Sequence, residues 1–330
     1  MLEDLEPPSD EREPEKPSGG IMKKPLAAIA DQVTGQLSSL LGLEIAQVEL
    51  TREEEGLPET VIKVSMLDSG KRKYPLMLKR QENEVAYCLY KQYLEPYHLN
   101  SPQEYGYIEL DGQRFLVMDY IKHLLAHWED RNSHLKAVKW LIKKDRISQQ
   151  NMEFVKSLGC LGEMPYYGVE YWLAQFEKWY KDSPGNRLAE EVWACAVANR
   201  TRINEYIDAL NEGGMQTVVH GNLGLDNILF GEGEADDDLL VIDWTQPHIS
   251  SVTKDLVSLY DGAPDNLKKE IVETYRRQID FYEFDAMFAK AKVLGDVGYL
   301  AWMAWMINGG EEMDQNELHR VATSFMLGVR

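Results

Sequence analysis

The stretch from Thr217 to Trp244 constrains this chain more than any other. It runs Thr-Val-Val-His-Gly-Asn-Leu-Gly-Leu-Asp-Asn-Ile-Leu-Phe, then Gly-Glu-Gly-Glu-Ala-Asp-Asp-Asp, then Leu-Leu-Val-Ile-Asp-Trp. The apolar pair Val218-Val219 leads into a polar cluster of His220, Asn222 and Asn227. Two short apolar runs then flank a glycine-rich acidic turn, a pattern that predicts a β-hairpin. Asn227 opens its first strand and Asp243 closes its second, so the hairpin brings the two together. An amide oxygen and a carboxylate converging in this way suit Mg2+, which takes hard oxygen ligands and shares them with phosphates.

These residues resemble the catalytic loop and metal strand of the aminoglycoside phosphotransferase and choline kinase superfamily, relatives of protein kinases. That family shows His-Gly-Asp-Leu, four residues spanning to Asn-Ile-Leu, and then an Ile-Asp-Trp or similar strand end. His220, Gly221, Leu223, Asn227, Ile228, Leu229, Ile242, Asp243 and Trp244 match it. One position departs: the family's catalytic aspartate is Asn222 here. The resemblance implies an α+β, two-lobed protein-kinase-like fold, with a small antiparallel-sheet N-lobe and a large, mainly helical C-lobe. It also implies Mg2+ and ATP or GTP as cofactors, and transfer of the γ-phosphate to a hydroxyl of a small molecule. By the same resemblance His220 and Asn222 occupy catalytic positions, and Asn227 and Asp243 hold the metal.

Residues 1–20 carry seven acids, two bases and four prolines, a composition that forms no core and reads as a disordered acidic tail. Residues 21–119 are then expected to form the N-lobe, and residues 120–330 the helical C-lobe. Leu26, Ile29, Ala30, Val33, Leu37, Leu40 and Leu41 recur at helical spacing. Residues 45–51, 59–66 and 74–79 read as strands, and residues 104–110 and 113–120 as a hairpin across Asp111-Gly112. The turn at 51–60 contains Glu53, Glu54 and Glu55; the favoured reading points these side chains into water, because facing a triphosphate would repel it. Gln81 to Leu94 reads as a helix. The resemblance matches Lys79 to the phosphate-holding lysine and Glu84 to its ion-pair partner, and it places the adenine-binding hinge near Met118 and Tyr120. Beyond Tyr120 the pattern is helical almost throughout. His123 and His127 share a helix face at a zinc-capable spacing, but no third ligand lies nearby and a surface pair is the expectation. The aromatic stripe Tyr171, Trp172, Phe176, Trp179, Tyr180 reads as core, and Asp255-Leu256 resembles the family's pair whose acid braces the catalytic loop.

A formal net charge of −20 argues against nucleic acid as a partner and tolerates a cationic small molecule. No apolar run approaches the ~20 residues that cross a bilayer, so no membrane partner is expected. Cys88, Cys160 and Cys195 lack metal spacing and read as buried thiols of a reducing, cytoplasmic compartment. Two classes of function remain open at this point. One is a nucleotide-dependent small-molecule phosphotransferase; the other is a pseudokinase that keeps the shape as a nucleotide-binding or scaffold module. A third reading takes Asn222 as a change introduced to trap a substrate. An asparagine oxygen accepts a hydrogen bond, yet the amide takes up no proton at neutral pH.

Overall fold

A computed structural model describes residues 25–51, 61–81, 84–121, 124–125, 129–161, 168–231, 238–244, 246–279 and 281–329. The acidic tail, Glu53 to Glu55, and the His123/His127 pair lie outside the described residues. The chain divides into two compact units: residues 1–82 with 104–120, and residues 83–103 with 121–330. This is the two-lobed architecture expected of a protein-kinase-like fold, a small antiparallel-sheet unit and a larger, mainly helical one.

The small unit holds helix α1 (Leu26–Leu41) and strands β1 (Ile45–Thr51), β2 (Val61–Asp68) and β3 (Lys73–Arg80). After an excursion into the larger unit it resumes with β4 (Glu104–Leu110) and β5 (Gln113–Asp119). The sheet is antiparallel in the order β1-β2-β3-β5-β4. Residues Ile29, Val33 and Leu37, spaced four apart on α1, are buried with Val64, Met66, Leu76, Leu78 and Val117 of the sheet. Asp111 and Gly112 have φ of 50° and 73°, the paired left-handed values that a two-residue type I′ hairpin needs. The Gln36 side chain accepts from Glu109 N (2.8 Å) and donates to Glu109 O (2.6 Å), so α1 satisfies part of the exposed edge of β4.

In the larger unit the helix expected from Gln81 begins at Val85, because Gln81 N–H still bonds Arg114 O (3.0 Å) in continuation of the sheet. Helix α2 (Val85–Leu89) passes directly into a π-helical turn, Tyr90–Leu94. Residues 83–103 group with the larger unit although they fall between strands of the smaller one. Leu89, Tyr93 and Leu94 are fully buried in the large core, and Tyr93 Oη lies 2.5 Å from Ser148 Oγ.

The rest of this unit contains β6 (Leu124–Leu125), α3 (Arg131–Gln150), α4 (Met152–Ser157), α5 (Val169–Asp182), α6 (Arg187–Ala198) and α7 (Arg200–Glu212). Strand β7 (Gln216–Val219), a 3-10 turn (Leu225–Asn227), β8 (Ile228–Phe230), β9 (Leu239–Val241) and β10 (His248–Ser251) follow. Helices α8 (Thr253–Asp261), α9 (Asp265–Arg276), α10 (Phe284–Asn308) and α11 (Gln315–Gly328) complete it. Trp172, Phe176 and Trp179 of α5 are buried against α10 and α11, as the aromatic stripe predicts, while Tyr180 is exposed. No helix among the described residues is long and apolar enough to cross a membrane.

Candidate functional site

The hairpin forms as the sequence predicts. β8 and β9 pair antiparallel with Ile228 opposite Val241, and Ile242 N–H continues the ladder to Asn227 O at 3.0 Å. Asn227 and Asp243 are thereby brought to the same end of the hairpin. Asp243 itself has φ of 65°, a left-handed conformation that costs a non-glycine residue of order 1–3 kcal/mol and gathers at functional sites.

The loop from His220 to Asn227 is held by its own polar groups. His220 is fully buried and packs its ring 4.6 Å from that of Trp244. Its Nε2 lies 2.8 Å from Ile242 O; a carbonyl only accepts, so Nε2 carries the proton and Nδ1 accepts from Asn222 N (3.3 Å). Burial pushes the His220 pKa down, keeping this neutral tautomer. Both ring nitrogens are thus engaged in holding the loop backbone. Gly221 has φ of 85°, and a Cβ there would meet Gln246 O at 2.6 Å, so only glycine fits. Asn222 is exposed at the turn, and among the described residues its side-chain amide makes no hydrogen bond. Its carbonyl accepts from Gly224 N (3.1 Å) and from Asn227 Nδ2 (2.8 Å). That second bond occupies the amide nitrogen of Asn227 and leaves its Oδ1 as the side-chain atom able to meet a cation. Asn227 Oδ1 and the Asp243 carboxylate are a hard-oxygen pair that fits Mg2+. Asp226, the nearest carboxylate in sequence, folds back over Gly224.

Beneath the loop lies a buried charge network that sequence reasoning only partly anticipated. Asp255, at the start of α8, accepts from His220 N (3.1 and 2.8 Å) and Gly221 N (3.1 Å), the bracing role its resemblance implies. Its counter-ion is Lys144 of α3, whose Nζ lies 2.7 Å from Asp255 Oδ2 and 2.6 Å from Val218 O. Lys144 also lies 3.1 Å from Asp145, which accepts from Thr217 Oγ1 (2.7 Å) and Tyr275 Oη (2.5 Å). Lys144, Asp145, Thr217 and Asp255 are all fully buried. Burial alone would strip the Lys144 proton, but the two carboxylates outweigh it and raise its pKa. Burial works against the Asp255 charge too, yet Lys144, His220 and the donated hydrogen bonds hold its pKa below the usual range. Asp145 is pushed up by burial, and of the two carboxylates Asp255 lies nearer Lys144, at 2.7 Å against 3.1 Å. The missed signal was in α3, where Lys144 and Asp145 continue the buried face of Ala137, Val138 and Leu141.

On the far side of β7, His248 stands opposite Val219 in β10. Its Nδ1 donates to Gln246 O (2.9 Å) and its Nε2 accepts from Lys254 Nζ (2.6 Å). Burial, then the adjacent ammonium, push His248 down to about 3, and burial lowers Lys254 to about 8.

The remaining predicted residues lie in the other unit or at its border. Lys79 sits near the end of β3, opposite Val61 and Leu116. Glu84 immediately precedes α2, in the larger unit. Met118 lies inside β5, opposite Met77 and Glu104. Tyr120 N–H bonds Pro75 O (3.0 Å), so that donor is not available to an adenine, and the Tyr120 ring lies 4.1 Å from Lys63 Nζ.

Residues 164–294 match the model of a phosphotransferase enzyme family. No curated protein sequence matches the chain. Among solved structures, choline kinase LicA from Streptococcus pneumoniae is similar at 15% identity and a TM-score of 0.60, covering 90% of this chain and 99% of that one. A choline kinase from Cryptosporidium parvum reaches 0.61 at 11% identity, covering 90% and 94%. The GDP complex of wild-type aminoglycoside 2'-phosphotransferase-IIIa reaches 0.54 at 14% identity, covering 91% and 98%. At these identities the likeness is one of fold.

The charge network can be tested in two ways. Lys144→Met strands a buried carboxylate and should lower the unfolding free energy by about 3–5 kcal/mol in urea titration. Adding Asp255→Asn should recover part of that loss, so the two changes are not additive. The second test concerns pH. His248 titrates at about 3 in the folded chain against 6.5 for the free side chain, so the unfolded chain binds more protons between those values. Stability is therefore lost as pH falls from about 6.5 toward about 3, and Asp255, depressed below 3.8, adds to the loss at the acid end. His248→Gln keeps an acceptor for Lys254 and should lessen the fall in urea stability above pH ~4 without abolishing it, because buried His220 is pushed down as well and contributes to the same fall.

Proposed function

We propose that the chain is a Mg2+- and nucleotide-dependent phosphotransferase acting on a hydroxyl of a small molecule. The observation that carries this reading is the braced loop, with exposed Asn222 at its turn and with Asn227 and Asp243 at one hairpin end. Phosphoryl transfer asks a protein mainly to position groups and neutralise charge. Asn227 and Asp243 would hold Mg2+, which neutralises charge on the phosphates when bound. Lys79 and Glu84 take the lysine and acid roles, and the segment around Met118 and Tyr120 takes the hinge role. ATP or GTP is the donor; the phosphotransferase of similar fold was solved with GDP, which supports a nucleotide here. The chain works in the cytoplasm.

The acceptor is a cationic alcohol in this reading. Two of the proteins of similar fold are choline kinases. Tyr299, Trp302 and Trp305 of α10 are 42%, 44% and 38% exposed, and the first two rings stack at 5.5 Å with 9° between their planes. Aromatic faces of this kind attract quaternary ammonium groups, and a net charge of −20 favours a cation's approach.

Asn222 favours a second reading, a pseudokinase that binds nucleotide as a sensing or scaffold module. The amide oxygen aligns a hydroxyl but takes no proton. A general base contributes ~10²–10⁴-fold, so its replacement slows transfer without forbidding it.

Mg2+ with ATP or GTP should raise the melting temperature, with about 2.7 kcal/mol of stabilisation at a hundredfold excess over Kd. Asp243→Ala should abolish that shift. No shift at millimolar nucleotide moves the assignment to a nucleotide-free scaffold. Asn222→Asp should then raise turnover of choline-like alcohols, aminoglycosides or sugars by roughly 10²–10⁴-fold in a radiolabelled transfer screen, at nearly unchanged nucleotide affinity. Nucleotide binding without transfer by the aspartate variant to any of these acceptors supports the pseudokinase.

A further inference from the structure

β10 and the first turn of α8 hold a pair of basic side chains to which phosphoryl transfer gives no task. Lys254 is the second residue of α8, and its Nζ donates to His248 Nε2 at 2.6 Å. The other ring nitrogen of His248 donates to Gln246 O, so the ring meets the amine as a neutral acceptor. His248 is buried opposite Val219, whereas Lys254 is partly exposed, so a small reagent reaches the amine. Two further features work against a charge on it. The first turn of a helix carries partial positive charge, which disfavours an ammonium. Asp255, the next residue, turns its oxygens to Lys144 and to the amides of His220 and Gly221. Lys144 thus faces that carboxylate from α3, and His220 faces it from the end of β7. At the far end of α8, Asp261 pairs with Lys292 of α10, and Lys268 of α9 lies over the Tyr260 ring. By contrast, Lys91, Lys178, Lys181, Lys268 and Lys292 each meet a carboxylate at 3.0 Å or less, which holds their protons in place.

We propose that Lys254 is a nucleophilic lysine that takes an acyl group from an activated acyl donor, an acyl phosphate or a thioester. Burial lowers its pKa to about 8, so at pH ~7.5 it holds roughly 200 times more neutral amine than an ordinary lysine of pKa about 10.4. A weaker base is also a weaker nucleophile, by roughly half a decade per decade of basicity with thiols as the guide, which leaves an advantage of about tenfold. The nitrogen lone pair attacks the acyl carbon and the N–C bond forms. The bond from that carbon to the phosphate oxygen or thioester sulfur breaks, and the leaving group departs with its electron pair. The surplus proton on nitrogen goes with it, giving hydrogen phosphate or a thiol. The product amide keeps one N–H for His248 and carries no charge. The ammonium is part of what holds His248 down, so acylation lets that ring protonate more readily. Gln246 O, which accepts from His248, lies 2.6 Å from where a Cβ on Gly221 would stand. The modified amine is therefore tied through one ring and one carbonyl to the loop that carries Asn222. Any effect on phosphoryl transfer rests on the phosphotransferase reading, whereas the acylation itself does not.

The test is competitive labelling of the full folded chain. Acetyl phosphate in one arm and acetyl-coenzyme A in the other react briefly at pH ~7.5, where the neutral amine of Lys254 is most in excess over that of ordinary lysines. The chain is then unfolded, and its remaining amines are blocked with deuterated acetic anhydride. Cleavage before aspartates releases Asp243–Lys254, a peptide with a single lysine, whose light-to-heavy ratio reads Lys254 alone. Lys254 should label about tenfold faster than the median lysine in at least one arm, and the arm that labels it identifies the donor. Its rate should level off above pH ~8, whereas the other lysines keep climbing toward pH ~10. A Lys254 rate no higher than the median in both arms overturns the proposal. So does a rate that climbs with pH as the other lysines do, or an excess that persists in chain unfolded before the reagent is added. The labelling needs neither nucleotide nor metal, so this site and the phosphotransferase reading fail independently.

Discussion

The ion pair between Lys144 and Asp255 underlies the candidate site. Each group is fully buried, and moving an ion out of water costs several kcal/mol even after the protein relaxes. That cost is offset only where each charge meets an opposite charge and enough hydrogen bonds. Lys144 reaches Asp255, Asp145 and the Val218 carbonyl; Asp255 reaches Lys144 and the amides of His220 and Gly221. The pair thus joins α3, β7 and α8 at one point, and that point is the root of the loop. A change in the length or charge of either side chain is felt first in the backbone of His220 and Gly221, before it reaches Asn222.

From that root the loop's shape is passed on through neutral groups. His220 bonds Ile242 O with one ring nitrogen and Asn222 N with the other. Asn227 ties the Asn222 carbonyl back to the first strand of the hairpin. Neutral imidazole is the form this relay needs, since a protonated ring would lose its acceptor for Asn222 N. Burial supplies that condition by lowering the His220 pKa. The charge is confined below the loop, where ions are paired, and the loop itself is held by dipoles. Such an arrangement leaves the net charge at the loop's outer face to be set by whatever binds there.

Much of this was legible in the sequence, for reasons that differ by element. β1 to β5 were readable because alternation and the Asp111-Gly112 turn are local signals, and the hairpin joining Asn227 to Asp243 was readable because register follows from turn and pattern. Lys144, Asp145 and Tyr275 were not, because their meaning arises from contacts across three helices. The placement of residues 83–103 was obscured in the same way. Tyr93 and Leu94 carry a helical stripe, but the stripe does not say which core it faces.

Asn222 bears on how much of phosphoryl transfer a loop performs by shape alone. In a loose transition state the bond to the leaving oxygen is largely broken before the new bond forms, so the attacking hydroxyl gains little acidity until late. A group at that position has two separable roles. It orients the hydroxyl through an accepted hydrogen bond, and it takes the hydroxyl proton. In the proposed reading the Asn222 amide oxygen would keep the orienting role and lose the proton-accepting one. The proton would then have to leave by a route other than this side chain. The bonds from the His220 and Gly221 amides to Asp255, the His220 bridge and the Asn227 tie all fix the backbone that carries Asn222, and in that reading they would serve the orienting role. Under the proposed phosphotransferase reading, the loop would keep the part of the chemistry that requires a fold and lack the part that requires one oxygen in place of one nitrogen.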